Sequence, residues 1–225
     1  MIGAERNVTI DLEPGGSVSG LWLRPAKARA GLVLAHGAGA GMTHRSMAAI
    51  ADGLAERGVA SLRYQFPYME KGSRRPDSPS VAHAAVRGAC ARGAKLAGDL
   101  SLFAGGKSFG GRMTSQAQAA TPLDGVRGLV FFGFPLHPAG KPSVDRADHL
   151  AKVALPMLFL QGTRDALAEL TLLELVVGKL GKRARLVLAP DADHSFHVPA
   201  RTGRKDPEIL GDLLDSAARW MIALS

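Results

Sequence analysis

The feature that most constrains this chain is a regular alternation of short apolar segments with longer helical ones. Segments 31–35 (GLVLA), 128–132 (GLVFF) and 156–160 (PMLFL) are apolar at nearly every position. Strands of this composition are typical of a parallel sheet that is covered on both faces. A length of 225 residues fits one such unit. We therefore predict an α/β fold with a mostly parallel central sheet, helices on both faces and a single domain over residues 1–225.

After an initial hairpin, the remaining predicted elements continue the same alternation of strands and helices. Segments 8–12 and 18–23 read as strands, and EPGG between them indicates a tight turn. Right-handed crossovers place the loops after parallel strands at one edge of the sheet, so functional side chains should come from those loops. The other predicted strands cover 59–64, 100–104 and 185–189, and the predicted helices cover 46–57, 79–96, 112–120, 147–153, 167–180 and 206–223.

The chain is basic, with a formal net charge of +8. Its basic residues are spread out, and the densest cluster, Lys71, Arg74 and Arg75, has no interleaved aromatic pattern. This distribution favours a basic solvated surface over nucleic-acid binding. No window of about 20 apolar residues occurs, which argues against a membrane span. The absence of a signal-peptide pattern and the single cysteine, Cys90, predict a cytoplasmic protein.

A G-x-S-x-G motif provides a candidate nucleophile. Residues 106–110 read GKSFG, directly after the predicted strand 100–104 and directly before a helix. In a strand–turn–helix context, such a serine is held in a strained conformation between small residues. The first amides of the helix point toward the hydroxyl and favour negative charge there. Ser108 is therefore the predicted nucleophile.

A serine hydroxyl needs an adjacent base, and the base needs an orienting carboxylate. His194 follows the last predicted strand, in RLVLAPDADHSFH, and Asp165 follows the preceding one, in PMLFLQGTRDAL. The chain order Ser108, Asp165, His194 is the order found in hydrolases built on an α/β sheet. These three residues are the predicted catalytic triad.

Alternatives exist for the base and the acid. Asp165 could instead cap the following helix, Glu169 is a poorer acid candidate, and His197 competes with His194. Asp191 and Asp193 read as turn residues. A metal site built from these two aspartates and the two histidines is disfavoured, because its ligands lie too close in sequence and no distant ligand is indicated. We predict neither a metal nor a cofactor.

A Gly-rich loop after the strand 31–35 provides candidate oxyanion donors. It reads HGAGAG over residues 36–41. Stabilising a tetrahedral oxyanion needs two preorganised backbone amides. We assign these to Phe109, directly after the nucleophile, and to Ala38, with Gly37 close behind. His36 is interpreted as a structural hydrogen-bonding residue.

Four segments carry a resemblance to a known family: HGAGAG, GGKSFGGRM, the aspartate of QGTRD and the histidine of DHSF. They resemble the α/β-hydrolase superfamily, and more narrowly the KANL3/Tex30-like group, which is related to dienelactone hydrolases. The segments FPYMEKGSRRPD and FPLHPAGKP also resemble that group. The resemblance runs from about residue 17 onward. It implies the α/β-hydrolase fold, the triad Ser108–Asp165–His194 and an oxyanion hole at Ala38 and Phe109. The chain departs from dienelactone hydrolases proper, whose nucleophile is a cysteine.

The predicted substrate is a small acyl compound, most simply an ester, bound in an open site. About two dozen residues separate the strands 128–132 and 156–160, too few for a folded cap. FPYMEKGSRRPD and FPLHPAGKP would form the walls, and Gly37, His137, Lys107 and Arg112 are the candidate substrate contacts. Basic side chains would make the rim positive and suit an anionic substrate; they are Arg74, Arg75, Lys107, Arg112 and Lys141.

Two rival functions follow from the same sequence. GGKS resembles the end of a phosphate-binding loop, but the required first glycine would fall at Ser101, inside a predicted strand. A non-catalytic interaction or scaffold protein on the same fold is the other alternative, since a fold does not imply an activity. The sequence does not indicate the oligomeric state.

Overall fold

The computed structural model describes residues 3–225, which contain an eight-stranded sheet with the order β1-β2-β4-β3-β5-β6-β7-β8. Strand β1 is antiparallel to β2 and β2 is antiparallel to β4, whereas all other neighbours are parallel. The strands are β1 (Arg6–Asp11), β2 (Ser17–Leu23), β3 (Ala30–Ala35), β4 (Val59–Tyr64), β5 (Ser101–Lys107), β6 (Val126–Phe132), β7 (Met157–Gly162) and β8 (Ala184–Ala189). The predicted initial hairpin and parallel sheet are confirmed.

Helices cover both faces of this sheet, as predicted. The α-helices are α1 (Arg45–Glu56), α2 (Pro67–Glu70), α3 (Pro79–Ala97), α4 (Phe109–Ala120), α5 (Leu170–Leu180) and α6 (Asp206–Ala223). Helices α3, α4 and α5 share one buried apolar cluster with the sheet, and α1 and α6 share a second. Successive side chains along each strand point to opposite faces of the sheet and pack into the two clusters in turn. Nearly every strand position is therefore apolar.

Helix α3 lies close to the sheet because its inner face consists of small residues. Ala82, Ala85 and Ala89 are fully buried. A Cβ atom at Gly93 would lie 2.6 Å from a methyl group of Val33 on β3, closer than such atoms normally approach. This packing explains the alanine-rich composition of the helix, since larger side chains would push α3 away from the sheet.

Strand β5 is longer than predicted and continues through Gly105 and Gly106 to Lys107. Glycines suit this place because the neighbouring strands approach closely: a Cβ atom at Gly105 would lie 1.8 Å from the Val130 carbonyl oxygen. With this segment paired between β3 and β6, no loop is left there to wrap a phosphate. The geometry therefore disagrees with the phosphate-loop alternative.

Other boundaries differ locally from the predictions. The predicted loop 66–77 contains the short helix α2, which begins at Pro67. The predicted helix 147–153 is a 3-10 helix over Asp145–Lys152. Helix α5 begins three residues later than predicted. Helix α6 has the predicted bounds, and at its start the Glu208 carboxylate accepts a hydrogen bond from the Lys205 amide at 3.1 Å.

The connection between β6 and β7 is short, and no separate cap domain is evident. Residues 133–156 lead from the carboxyl end of β6 back to the amino end of β7, which is parallel to it. Their regular structure is the 3-10 helix Asp145–Lys152, which packs against α4 and α5. The prediction that no folded cap is inserted between these strands is confirmed. Among residues 3–225, no helix is both long and apolar enough to cross a membrane.

Candidate active site

Ser108 lies at the sharp turn between β5 and α4. Its backbone has φ 50° and ψ −117°, a conformation that non-glycine residues rarely adopt. The turn is held by the Ser108 amide, which donates to the Phe132 carbonyl at 3.1 Å, and by the Arg112 amide, which donates to the Ser108 carbonyl at 3.1 Å. The strained turn predicted from the motif is present.

The two motif glycines allow strand and helix to approach β3 at this turn. A Cβ atom at Gly106 would lie 2.4 Å from the Ala35 carbonyl oxygen, and one at Gly110 would lie 2.6 Å from the same atom. Neither contact is sterically possible. The G-x-S-x-G spacing is therefore a packing requirement of the turn that presents Ser108.

His194 and Asp165 complete a continuous hydrogen-bonded chain with Ser108. The His194 Nε2 atom lies 2.8 Å from the Ser108 Oγ atom, and Nδ1 lies 2.6 Å from the Asp165 Oδ2 atom. A carboxylate only accepts, so Nδ1 carries the ring proton and Nε2 is left to accept from the serine hydroxyl. The three predicted residues, from three loops at the carboxyl edge of the sheet, are brought together.

The Asp165 carboxylate is fully buried and is satisfied by protein donors. The Gln161 side-chain amide donates to Oδ2 at 2.5 Å, and the Leu167 amide donates to Oδ1 at 2.8 Å. These bonds fix the carboxylate in the orientation that meets the imidazole. Sequence reasoning missed Gln161, although it is a polar residue at the end of the apolar strand MLFLQG.

The alternative acids and bases are engaged elsewhere. His197 is exposed and its Nδ1 atom lies 2.9 Å from a carboxylate oxygen of Asp206, which raises the pKa of His197. Glu169 is exposed and Asp193 accepts hydrogen bonds from two amides of its own turn. Asp165 does accept from the Leu167 amide, as a capping residue would, but α5 begins only at Leu170.

The glycine-rich loop is held in place by the segment that follows β4. His36 is buried; its Nε2 atom accepts a hydrogen bond from the Phe66 amide at 3.1 Å, and Nδ1 donates to the Gly37 carbonyl at 2.8 Å. Burial lowers the pKa of His36, so the ring is neutral at pH 7. The structural interpretation of His36 fits this geometry. The Tyr68 hydroxyl, which sequence reasoning missed, accepts from the Gly39 amide at 3.0 Å.

The two predicted oxyanion donors are free to bind a substrate. Within residues 3–225, the amides of Ala38 and Phe109 donate to no protein acceptor. Ala38 is exposed, and Phe109 is the first residue of α4. Gly37 adjoins the nucleophile, since its Cβ position is 3.8 Å from the Ser108 Cβ atom. Both unpaired amides therefore belong to segments that adjoin Ser108.

Two of the candidate substrate contacts are bound within the protein. His137 is buried: Nε2 accepts from the Glu169 amide at 2.8 Å and Nδ1 lies 2.9 Å from the Pro138 carbonyl. Both ring nitrogens are therefore occupied, and the ring connects the residues after β6 to the Asp165 loop. The Lys107 ammonium donates to the His194 carbonyl instead of lying on the rim. The polar atoms of these two side chains are therefore not free to bind a substrate, although the His137 ring lines a depression beside Asp165.

Arg112 remains compatible with a role on the rim. It lies on the first turns of α4, is half-buried, and has its pKa lowered by burial and then by the neighbouring charge of Arg146. Arg74, Arg75 and Lys141 are exposed in the two wall segments. A depression of about 490 Å³ adjoins Asp165 and is lined partly by Gly140 and Pro142 of the second wall.

With this geometry, the chain can be placed among known proteins. The sequence model of a family described as "Alpha/beta hydrolase domain" matches residues 28–222, and the protein belongs to this family. The fold predicted from the sequence resemblance is thereby confirmed, whereas the comparisons do not single out the narrower KANL3/Tex30-like group.

Solved structures share the fold over almost the whole chain. Dienelactone hydrolase from Anabaena variabilis ATCC 29413 is 21% identical with a TM-score of 0.78, over 98% of both chains. XC6422 from Xanthomonas campestris, a lidless serine hydrolase, is 21% identical with a TM-score of 0.74, over 96% of this chain and 94% of that one. Est1E from Butyrivibrio proteoclasticus, solved with ferulic acid bound, is 18% identical with a TM-score of 0.76, over 96% and 99%. At these identities the likeness shows the fold alone.

Proposed function

We propose that this protein is a serine hydrolase that cleaves a carboxylic ester or a related acyl bond through an acyl-enzyme at Ser108. The observation that carries the proposal is the chain Ser108–His194–Asp165, with links of 2.8 and 2.6 Å between the heavy atoms. Such an arrangement makes a hydroxyl nucleophilic at neutral pH, because the imidazole accepts its proton and the carboxylate stabilises the imidazolium that forms.

In the first half of the reaction, the Ser108 oxygen attacks the acyl carbon while its proton moves to the His194 Nε2 atom. The carbonyl π pair moves onto oxygen and gives a tetrahedral oxyanion. When this intermediate collapses, the bond to the leaving alcohol breaks and the proton on Nε2 passes to the departing oxygen. The products of this half are an acyl-serine and the free alcohol, and His194 is neutral again.

The oxyanion would be stabilised by the amides of Ala38 and Phe109. Phe109 follows the strained turn at Ser108 as the first residue of α4, and the glycines around Ala38 would let its loop approach the substrate. Since neither amide has a protein acceptor within residues 3–225, no internal hydrogen bond must break before the oxyanion binds.

In the second half, water takes the place of the alcohol. His194 accepts a proton from the water, whose oxygen attacks the acyl-serine, and collapse of the second oxyanion returns the proton to Ser108 and releases the acid. The short β6–β7 connection leaves the edge of the sheet open, so water and varied acyl groups can reach Ser108. The named neighbours, a dienelactone hydrolase and Est1E with ferulic acid, support a small-molecule acyl substrate.

The narrower expectations belong to this proposal too. A single domain, membership of the KANL3/Tex30-like group, an anionic substrate and a cytoplasmic location stay predictions from the sequence. Arg112 is half-buried and lies four residues after the nucleophile, and it is the side chain on which an anionic preference would depend.

Labelling with a fluorophosphonate probe, combined with hydrolysis of short activated esters, thioesters and lactones, tests the proposal. We expect the wild type to be labelled once, and Ser108→Ala to lose labelling and at least about 10³-fold in kcat while remaining folded. Ser195→Ala is the matched control, because that exposed serine lies next to His194 and should retain full activity. A wild type without labelling or turnover would favour the scaffold alternative, and an active Ser108→Ala would refute the nucleophile.

A further inference from the structure

Lys107, the residue directly before the nucleophile, makes an unusual contact for a lysine. Its side chain leaves the end of β5 and its ammonium donates a hydrogen bond to the backbone carbonyl of His194. The nitrogen also lies 5.1 Å from the centre of the Phe196 ring, within the range of a cation–π interaction. One side chain therefore connects the strand that carries the nucleophile to the loop that carries the base.

The surroundings of the Lys107 ammonium are shaped to admit it. Gly133, at the end of β6, has φ 70°, and a Cβ atom there would lie 3.0 Å from the Lys107 nitrogen and 3.3 Å from the His194 carbonyl oxygen. The aliphatic part of the Lys107 side chain packs against the glycine-rich loop 36–41, with Lys107 Cγ 3.7 Å from the Cβ position of Gly37. Space for the ammonium thus depends on a residue without a side chain.

Keeping the Lys107 ammonium charged at this buried position costs free energy of folding. Burial lowers the pKa of Lys107 to about 8, although the negative charges of Asp165 and Asp193 act in the opposite direction. No carboxylate lies within ion-pair distance of the ammonium in the part of the chain that the structure describes. The titratable groups that face it are Asp165 from the loop after β7, and Asp193 and the imidazole of His194 from the loop after β8. A half-buried lysine without an ion pair is a poor way to stabilise a fold.

We propose that Lys107 is a positioning residue that fixes the backbone of His194 for proton exchange with Ser108, and that it does so in its charged form. This inference rests on the proposed function. A charged donor makes a stronger hydrogen bond to the carbonyl than a neutral amine does, and only the ammonium interacts favourably with the Phe196 ring. Loss of the charge would loosen the His194 loop while leaving all three triad residues in the protein.

Stability and activity should then respond to Lys107 in opposite directions. Because the folded-state pKa is depressed from 10.5 to about 8, the unfolded chain binds more protons between these two pH values. The contribution of this group to stability is therefore unfavourable below about pH 8 and improves as the pH rises toward 10.5. Activity should instead fall over the same range, as the ammonium that holds His194 loses its proton.

The test compares Lys107→Met, Lys107→Arg and the control Lys95→Met, at an exposed lysine in the last turn of α3. Each is followed by steady-state kinetics from about pH 6 to 10, together with thermal unfolding. For Lys107→Met we expect kcat to fall about 10- to 100-fold with little change in KM. Its melting temperature at neutral pH should be equal to or above that of the wild type. The wild type should lose kcat with an alkaline midpoint near 8. This limb should be absent from Lys107→Met and shifted to higher pH in Lys107→Arg, whose charge persists.

Several outcomes would overturn the inference. They are an unchanged kcat in Lys107→Met, an alkaline limb that persists in that variant, or a loss of activity matched by a loss of folded protein. Failure of the proposed function is a separate result, because it appears as a wild type that neither binds the fluorophosphonate probe nor hydrolyses any ester. If Lys107→Met does not fold, the position of the alkaline limb in Lys107→Arg decides the matter.

Discussion

Two histidines three residues apart in the chain, His194 and His197, each pair with an aspartate, and the two pairs differ strongly in their exposure to solvent. His194 and Asp165 are 2.6 Å apart, with side chains 22% and 0% exposed. His197 and Asp206 are 2.9 Å apart, with side chains 64% and 51% exposed. Distance alone therefore does not distinguish the pair that we place in the active site from the pair on the surface.

The difference lies in what surrounds each carboxylate. Asp165 receives hydrogen bonds from Gln161 and the Leu167 amide, so its carboxylate is held out of water in one orientation. Asp206 accepts from the Val198 amide and is otherwise open to solvent. An exposed ion pair is screened and contributes little, whereas a buried, fully bonded carboxylate can fix a tautomer and an orientation. Variants of either pair test whether this difference in surroundings decides which pair acts with Ser108.

The largest effect is expected for Asp165→Asn. The amide nitrogen would face His194 Nδ1 as a donor, favour the wrong tautomer, and leave Nε2 unable to accept the serine proton. We expect kcat to fall about 10⁴-fold with the fold intact, measured on an activated ester with circular dichroism as the structural check. Asp206→Asn is the matched control and should leave kcat unchanged. Equal losses in the two variants would contradict the distinction between the pairs.

A smaller effect is expected for Gln161→Leu, which removes the support behind Asp165. Gln161 donates to Asp165 and accepts from the Phe134 amide at 2.8 Å. We expect a loss of about tenfold in kcat and about 1–3 kcal/mol in unfolding free energy, because the buried Phe134 amide loses its acceptor.

Gln118→Leu controls for the structural part of this loss. The buried Gln118 accepts from the Leu123 amide at 2.8 Å at the far end of α4. Denaturant unfolding should show a similar destabilisation in both variants, and only Gln161→Leu should lose kcat. If kcat per folded molecule is unchanged in Gln161→Leu, the orientation of Asp165 does not depend on its amide neighbour.

The local parts of the site could be predicted from the sequence because their causes are local. Ser108 could be placed at its turn because a strand, two glycines and a helix adjoin it in the sequence. His194 and Asp165 could be assigned because loops that follow parallel strands meet at one edge of the sheet. These arguments need only chain order and the handedness of crossovers, and the geometry agrees with both.

The remaining parts depend on contacts between segments far apart in sequence. Lys107 reaches His194, 87 residues away, and His137 reaches Glu169, 32 residues away. The sequence analysis gave Lys107 and His137 as candidate substrate contacts, but both side chains form hydrogen bonds within the protein. Two backbone bonds of this kind explain why α5 begins late. The Leu167 amide donates to the Asp165 carboxylate and the Glu169 amide donates to the His137 ring, before the helix begins at Leu170. Composition and periodicity carry no information about such partners.

The smallest effect is expected for His197→Gln, which tests the surface pair. Asp206 raises the pKa of His197, and His197 lowers that of Asp206. The histidine's contribution to stability is full below its unfolded value of 6.5 and is lost as the pH rises through its raised folded value. The aspartate's contribution is present above 3.8 and is lost as the pH falls through its lowered value.

The wild type should therefore melt slightly above His197→Gln at about pH 5 and level with it at about pH 9, with less difference in high salt. The variant's kcat should equal that of the wild type, and a large loss would make His197 a competitor of His194 after all.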